Sequence, residues 1–345
     1  MKKKITIAID AMGGENAPKK NLEGLKFFLE KNKNKEDFLF LLYGDQNILN
    51  NEILRQKISN KFIQIVHAEG VVSDEETPLT AVKNSKNSSM WNAVKAQIDG
   101  EADISLSAGN TGVLFVISKM ILKMMNKVSK PALAGLWPSK KGMSVVLDLG
   151  ANIECDEKNL VDFSEMGAAL FKSIFPNLKP QVSLLNIGSE EIKGTEILKK
   201  TYSKLKDLSD DSNFIFRGYI EGNKIMDGET NVIVTDGFTG NIALKTAEGT
   251  AKFLTDNLKK SLTENIFTKA SLIFSYFSLK KFRSRLDPRK YNGAIFLGLN
   301  GPVVKSHGST DSLGFYYSID LCYRIIKGNL MHQIKNNLSH LDVES

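Results

Sequence analysis

The chain of 345 residues is 42% hydrophobic and 25% charged, which predicts an ordered globular protein with a large core rather than a disordered one. The net charge of +7 favours anionic partners, but the basic residues are spread along the chain without a zinc-finger, RNP or helix-turn-helix signature, so nucleic acid is not expected as a partner. The two cysteines argue against a disulfide framework and favour the reducing cytoplasm. The four histidines have no paired spacing, which argues against a metal site. No apolar run approaches the ~20 residues that a membrane span needs.

The first hundred residues predict alternating strands and helices. Strands are predicted at 4–10, 38–43 and 62–68, and helices at 20–31 and 46–57. The first strand ends in Asp10, and Gly13 and Gly14 follow in the loop before the first helix. Because ligands of open α/β sheets bind outside the carboxyl ends of the strands, these three residues are candidates for a binding site.

The loop at 107–112 predicts an anion site. It lies between a short apolar strand at 104–106 and an amphipathic helix pattern at 113–124. The free N–H groups of the first helical turn favour a negative charge, and glycine lets the backbone approach it closely. The loop matches neither a P-loop nor a strict dinucleotide fingerprint, and by itself a tight connection of small residues is an equally good interpretation.

The second half of the chain repeats this arrangement. Strands are predicted at 143–149, 181–185, 214–219, 231–235, 293–298 and 301–305. We therefore predict an α/β fold with a mostly parallel sheet. Six strand ends combine Gly with Asn, Asp, Lys or Ser, and we expect them at one edge of the sheet, where they would form a single polar site. These six loops are 10–14, 107–112, 148–152, 186–193, 236–241 and 305–309.

Residues 250–290 interrupt the alternation and predict a helical projection within a single α/β catalytic domain that spans 1–345. Apolar residues recur every four positions from 254 to 266, and 269–279 is apolar and aromatic with basic residues on both sides. This pattern suits the headgroup region of an anionic membrane, and a helical hairpin in a dimer interface is a compatible alternative. The residues expected to contact the membrane are Leu272, Ile273, Phe274, Tyr276, Phe277, Lys280 and Lys281.

Seven stretches in one order resemble the bacterial phosphate acyltransferase (PlsX) family. They are IAIDAMGGENAP (7–18), SAGNTG (107–112), LDLGAN (147–152), LLNIGSEEIKG (184–194), YIEGNKI (219–225), TDGFTGNIALKTAEG (235–249) and GLNGPVVKSHGS (298–309). Three positions depart from the family pattern, in which Asp, Gly and Arg are usual: Glu15, Asn292 and Lys130. The resemblance implies a Rossmann-like three-layer fold of the phosphotransacetylase and isopropylmalate dehydrogenase group, a homodimer, and no metal or nucleotide cofactor.

The resemblance also implies a reaction, in which a long-chain fatty acyl group passes from acyl carrier protein to orthophosphate. The acyl phosphate would feed a membrane glycerol-3-phosphate acyltransferase at the start of phospholipid synthesis. The implied location is the cytoplasm, with peripheral association at the inner face of the cell membrane. We expect the basic surface of the chain to meet the acidic carrier protein.

In such a reaction phosphate itself attacks the thioester, so the protein must bind a dianion and stabilise the tetrahedral oxyanion. We predict Lys193 and Asn241 as catalytic residues for charge and oxyanion stabilisation, and His307 as a candidate acid for which a structural role is an equal alternative. The leaving thiolate needs little acid assistance. The residues predicted to bind or surround phosphate are Asp10, Gly13, Gly14, Ser107, Gly109, Asn110, Thr111, Gly112, Asn152, Asn186 and Lys245.

Three other functions remain open on the sequence alone. A phosphotransacetylase-like enzyme that uses short acyl-CoA would share this chemistry but would not need the aromatic and basic segment. A metal- and NAD-dependent dehydrogenase of the related fold would need a cluster of Asp ligands and an adenine loop. A non-catalytic, membrane-associated scaffold for the carrier protein would leave the six polar loops unexplained.

Overall fold

The computed structural model describes residues 4–73, 85–208, 212–264, 275–282, 284 and 287–340. The strands in this part of the chain are β1 (Ile5–Asp10), β2 (Phe38–Gly44), β3 (Ile63–His67), β4 (Ile104–Ser107), β5 (Ala132–Ser139), β6 (Gly142–Leu147), β7 (Gln181–Asn186), β8 (Ile215–Glu221), β9 (Val232–Val234), β10 (Ala294–Leu297) and β11 (Val303–Lys305).

The α-helices of the described residues are α1 (Lys19–Lys31), α2 (Gln46–Gln56), α3 (Ser89–Ile98), α4 (Thr111–Leu122), α5 (Glu157–Ile174), α6 (Glu196–Asp207), α7 (Gly237–Thr263), α8 (275–282), α9 (Ser312–Lys327) and α10 (Leu330–His340). Short 3₁₀ turns lie at Asn60–Phe62, Gly222–Asp227 and Pro288–Tyr291. The strand–loop–helix alternation is therefore present, as the sequence predicts.

All the strands join one sheet in the order β3-β2-β1-β4-β11-β10-β5-β6-β9-β7-β8. Seven of the ten pairings are parallel, which confirms the predicted mostly parallel α/β sheet. The three antiparallel pairings are consecutive and lie in the middle of the sheet, between β11 and β10, β10 and β5, and β5 and β6.

These three reversals make the prediction of one shared edge wrong. An odd number of antiparallel pairings separates the set β1, β4 and β11 from the set β6, β9 and β7, so the two sets run in opposite directions. The carboxyl ends of the two sets therefore point to opposite edges of the sheet. The sequence pattern predicts where the strands lie. It does not predict whether neighbouring strands pair in parallel or antiparallel, because that depends on tertiary contacts.

Helices cover both faces of the sheet and give it three layers. On the first face α1, α2, α5, α6, α9 and α10 pack on a large core, and on the second face α3, α4 and α7 pack on smaller apolar clusters. Side chains alternate accordingly along β1, where Ile7 and Ile9 enter the first core and Ala8 faces α3. Phe28 anchors α1 on the first face, with ring centroids 5.3 Å from Phe38 and 5.5 Å from Phe40.

Candidate active site

The loops after β1 and β4 form a buried, mutually bonded group. The Ser107 hydroxyl donates to Asp10 Oδ2 at 2.6 Å, and the Gly109 N–H donates to Ser107 Oγ at 3.0 Å. A Cβ atom on Gly13 would lie 2.8 Å from Gly109 N and would overlap the Asp10 carboxylate, so only glycine lets the two loops approach so closely. Burial raises the pKa of Asp10, and its hydrogen bond from Ser107 opposes that rise.

The loop after β11 closes this group and brings two buried lysines to it. Lys305 Nζ donates to the carbonyls of Ala108, at 3.5 Å, and Ser306, and Lys20 Nζ donates to the carbonyl of Gly308. Both lysines are nearly inaccessible to solvent. The two ammonium groups thus bring positive charge to the carbonyls of this loop.

Sequence reasoning included Lys305 in the predicted polar loop 305–309 without giving it a role, and it missed Lys20. Lys305 had one available signal, because it ends a strand that is otherwise apolar. Lys20 had none, since it is one of several lysines around the start of α1 and its burial depends on tertiary packing.

The first turn of α4 borders the same group. Asn110 caps the helix, with its Oδ1 accepting from the Val113 N–H at 3.2 Å, and Thr111 and Gly112 form the first turn. This end of a twelve-residue helix presents backbone N–H groups beside Gly109. A Cβ on Gly14 would lie 3.0 Å from Ala108 Cβ, so the loops 10–14 and 107–112 are in close contact. The structure thus brings together the residues of these two loops that were predicted to bind phosphate.

His307 follows Lys305 and has a defined hydrogen-bonding pattern. Its backbone N–H donates to Asn292 Oδ1 at 3.0 Å, and its ring Nδ1 lies 3.3 Å from the Ser309 N–H, which can only donate. Nδ1 is therefore the acceptor and the neutral ring carries its proton on Nε2. Burial, with Lys305 next in importance, lowers the pKa of His307, so the imidazole is neutral at pH 7.

A second group of loops is organised around the buried carboxylate of Asp148. Three backbone N–H groups donate to Oδ1, and the backbone and side-chain amides of Asn152 donate to Oδ2. Burial raises the pKa of Asp148, while these N–H donors stabilise its ionised form. The donors to Oδ1 are Leu133 N at 3.0 Å, Gly150 N at 3.2 Å and Ala151 N at 3.0 Å.

The side chain of Asn152 is occupied within this second group. The side-chain Nδ2 donates to Asp148 Oδ2 at 2.7 Å and to the Pro131 carbonyl at 2.6 Å, and the backbone carbonyl of Asn152 accepts from Gly237 N at 2.8 Å. Asn152 therefore joins β6, the start of β5 and the start of α7. A Cβ on Gly240 would overlap the Asp148 carbonyl, which shows how closely α7 approaches this loop.

The two predicted catalytic side chains are both exposed. Asn241 lies over Gly150, where a Cβ would be 3.5 Å from Asn241 Cβ, and Lys193 lies in the loop after β7. Asn186 supports that loop, because its Nδ2 donates to the Lys193 carbonyl at 3.1 Å. Neither Lys193 nor Asn241 makes a side-chain hydrogen bond within the described residues, so both are available to a substrate.

One face of α7 connects the two groups. Asn241, Lys245 and Glu248 are spaced by four and three residues and so share this face, and Lys245 forms a 2.8 Å ion pair with Glu248. The charges of Lys245 and Glu248 also act on the pKa of His307, which places this part of α7 beside the first group. The candidate active site is therefore the region between the two groups, along α7, rather than one edge of the sheet.

The predicted membrane residues belong only partly to the described chain. Leu272, Ile273 and Phe274 lie outside the described residues. The others, Tyr276, Phe277, Lys280 and Lys281, lie on α8, where both aromatic side chains are exposed. No helix among the described residues has the length and apolar character that crossing a membrane requires. The same residues contain no group of three or more His, Cys, Asp or Glu side chains that could hold a metal ion.

Comparison with known proteins identifies related sequences and folds. A family model described as "Fatty acid synthesis protein" matches residues 5–333. The phosphate acyltransferase of Pelagibacter ubique is 53% identical over 338 residues, which cover 98% of this chain and 100% of the relative, and that of Caulobacter vibrioides is 40% identical over 99% of this chain and 93% of the relative. A phosphotransacetylase structure from Streptococcus pyogenes matches with a TM-score of 0.62 at 14% identity, covering 95% of this chain and 94% of that chain, which shows a shared fold.

Proposed function

The chain belongs to the fatty acid synthesis protein family that contains these phosphate acyltransferases, and from this we propose the reaction that the site performs. The protein transfers an acyl group to orthophosphate and so supplies acyl phosphate for phospholipid synthesis. The donor is a long-chain acyl thioester of acyl carrier protein. The observation that carries this proposal is the buried loop group around Ser107, with a helix N-terminus and two buried lysines beside it.

The first loop group is suited to bind orthophosphate. The backbone N–H groups at the start of α4 and the ammonium groups of Lys20 and Lys305 all favour a dianion, and they are fixed before it arrives. The hydrogen-bonded pair of Asp10 and Ser107 holds the loop in the shape that the anion meets. Preorganised donors avoid the reorganisation cost that flexible donors would pay on binding.

The second loop group is suited to hold the thioester. An oxygen of phosphate attacks the carbonyl carbon, forming a C–O bond and a tetrahedral oxyanion, and the C–S bond then breaks with release of the thiolate. Lys193 and Asn241 stabilise the oxyanion, because an ammonium and an amide N–H₂ are both donors to developing negative charge. The leaving thiol has an ordinary pKa near 8.5, so its thiolate needs no dedicated acid. We therefore assign His307 the role of a neutral hydrogen-bond donor through Nε2–H.

Two exposed apolar surfaces support the proposed partners. Along α7 only Gly237 and Gly240 are buried, and Phe253, Leu254 and Leu258 are exposed, which suits a second copy of the chain as a homodimer partner. On α8 Phe277 is 81% exposed beside Lys280 and Lys281, which suits an anionic membrane surface. A cytoplasmic protein at the inner face of the membrane would deliver acyl phosphate to the glycerol-3-phosphate acyltransferase there.

The experiment measures thiol release from a long-chain acyl carrier protein with and without orthophosphate, in the presence of a chelator and without nucleotide. Phosphate-dependent release together with acyl phosphate formation is the expected result. Cleavage of acetyl-CoA without cleavage of the carrier substrate would instead assign the protein to the phosphotransacetylase reaction. No release from either donor would contradict the proposed function.

Membrane contact has its own test, the co-sedimentation of the protein with vesicles of anionic or zwitterionic lipid. Exchanging Lys280 and Lys281 for glutamine is expected to reduce binding to anionic vesicles by about tenfold or more, since each basic residue near such a surface contributes about 1 kcal/mol. The matched control exchanges Lys199 and Lys204 of α6, away from the proposed surface. Equal loss in both variants would contradict the assignment of α8 to the membrane.

A further inference from the structure

A polar cavity of about 330 Å³ lies against β7 and β8, in the outer part of the sheet. Its walls come from these strands, the turn between β5 and β6, the 3₁₀ turn at Gly222–Asp227 and the residues before β9, and Ser189 of the loop after β7 also borders it. None of the side chains assigned above to phosphate or to acyl transfer lines it. We call it the β7–β8 cavity, and the proposed reaction does not account for it.

Two hydroxyl groups in the wall of this cavity have no hydrogen-bond partner among the described residues. Ser183 is 0% exposed and Thr230 is 6% exposed, and each oxygen is buried without a partner. Buried hydroxyls in folded proteins are almost always satisfied, because leaving one without a partner costs free energy. Successive side chains of a strand point to opposite faces of the sheet. Val182 and Leu184 of β7 pack in the first core, so Ser183 between them points to the other face, which is the side of the cavity.

Tyr219 does not contribute to the same argument. Its hydroxyl is also buried without a partner, but its ring packs 4.8 Å from Tyr202 of α6, on the other face of the sheet. Only Ser183 and Thr230 therefore supply unsatisfied hydroxyls on the cavity side.

The charged residues of the wall indicate what these hydroxyls would bind. Three cationic side chains, Lys141, Arg217 and Lys224, outnumber two carboxylates, Glu221 and Glu229. Arg217 is held in place because its Nε donates to Gln181 Oε1 at 3.0 Å. The cations favour a phosphate group, because guanidinium and ammonium groups bind phosphate through charge-assisted hydrogen bonds. The carboxylates can only accept hydrogen bonds, so they favour ligand hydroxyl groups, which donate them.

We propose that the β7–β8 cavity binds a small phosphate ester that carries free hydroxyl groups, at a site separate from the catalytic one. A water molecule occupies about 30 Å³ in the liquid, so the cavity holds roughly ten such groups. Glycerol 3-phosphate, with about ten non-hydrogen atoms, is a probe of suitable size and chemistry. In the complex, Ser183 and Thr230 bond to the ligand and are no longer unsatisfied.

The test is calorimetric titration of the full chain with glycerol 3-phosphate. Orthophosphate is present in excess to fill the proposed catalytic site, and it lacks the carbon-bound hydroxyl groups that the cavity is proposed to recognise. One binding site per chain is expected. Ser183→Ala is expected to weaken this binding about tenfold without lowering Tm, because it removes a hydroxyl that has no partner in the free protein. Ser164→Ala is the matched control, since Ser164 is equally buried but its hydroxyl donates to the Leu160 carbonyl at 2.8 Å; this variant should bind normally.

A second variant tests the charges, because exchanging Lys141 and Lys224 together for glutamine should weaken binding at least tenfold. The proposal is overturned if glycerol 3-phosphate does not bind at any concentration tested, or if both variants bind as the natural protein does. A fall in Tm of Ser183→Ala with unchanged affinity would also overturn it, since the hydroxyl would then be structural. The titration contains no acyl donor, so its outcome is independent of the proposed acyl transfer.

Discussion

The two loop groups of the site are built in contrasting ways. In the first group Asp10, Ser107 and Lys305 are buried and hydrogen-bonded to their neighbours. In the second group the carboxylate of Asp148 is buried, while the side chains of Lys193 and Asn241 are exposed. The difference suits the ligands that we propose for them, because a small rigid dianion is bound best by a preformed site, and a protein-bound acyl thioester needs an open one.

The sheet itself explains how two such different groups coexist. The strands of the first group run opposite to those of the second, and β10 and β5 in between reverse the direction. Each group thus belongs to its own parallel set, with its own loop conformations. The helix α7 begins at the second group, and the charges of its Lys245 and Glu248 act on His307 of the first group.

The largest expected effect is on the support of the second group. Asp148→Asn replaces one carboxylate oxygen, which accepts hydrogen bonds from surrounding N–H groups, with an N–H₂ group that can only donate. Donors would then face donors, so we expect a loss of about 3 kcal/mol in the free energy of unfolding. Urea denaturation measures it. The control Asp236→Asn changes a carboxylate that caps α7 at the surface and should cost about 1 kcal/mol or less. Equal losses would show that the second group does not depend on one carboxylate.

The next effect separates catalysis from stability in the second group. Lys193→Ala is expected to lower kcat about 100-fold, the usual consequence of removing one group that stabilises an oxyanion, with no change in Tm because Lys193 is exposed. The steady-state rate of thiol release measures this change. Lys199→Ala removes an equal charge from α6 and should leave kcat unchanged. A folded Lys193→Ala protein with normal turnover would remove Lys193 from the mechanism.

A smaller effect concerns pH and the core behind the second group. Burial, reinforced by the nearby charge of Asp162, raises the pKa of Glu165 to about 8, well above the 4.5 of the unfolded chain. Between these values the folded protein holds a proton that the unfolded chain has released, so stability falls as pH rises from about 5 to 8. Glu165→Gln keeps the neutral form and should flatten this dependence by roughly 1–3 kcal/mol. Unfolding measured at pH 5.5, 7 and 8.5 gives the slope, and an unchanged slope would contradict the buried, protonated carboxyl.

The smallest effect is expected at His307 in the first group. Because its imidazole is neutral and the thiolate leaves without a dedicated acid, His307→Asn should lower kcat by less than about tenfold. The pH dependence of kcat is the sharper measurement, since a required acid makes kcat fall as pH rises through its pKa, and exchanging that acid would abolish the fall. A loss of 100-fold or more would mean that His307 is the acid and that the first group takes part in the chemistry.

Much of the fold follows from local pattern, while the pairing directions do not. The strands around Asp10, Ser107 and Asn186 were predictable because they are apolar runs that end in small polar residues. β5 is absent from the predicted strands, because Gly135 and Pro138 weaken its strand signal. Its antiparallel pairing, like the opposite direction of the two sets, depends on contacts distant in sequence.

The site was predictable in the same partial way. The loops that carry Ser107, Lys193 and Asn241 stand out because glycine and amide residues recur after strands. The burial of Lys20 and the full use of the Asn152 side chain for support cannot be seen in sequence, because both depend on partners far along the chain.

The division of work between the two groups is tested most directly by steady-state kinetics of Ser107→Ala and Asn241→Ala, with orthophosphate and acyl carrier substrate varied separately. The expected result is that Ser107→Ala raises the KM for phosphate about tenfold with little change in the KM for the carrier substrate, since it loosens the phosphate loop. Asn241→Ala should lower kcat and leave the KM for phosphate unchanged. The account is contradicted if Asn241→Ala raises the KM for phosphate while Ser107→Ala does not.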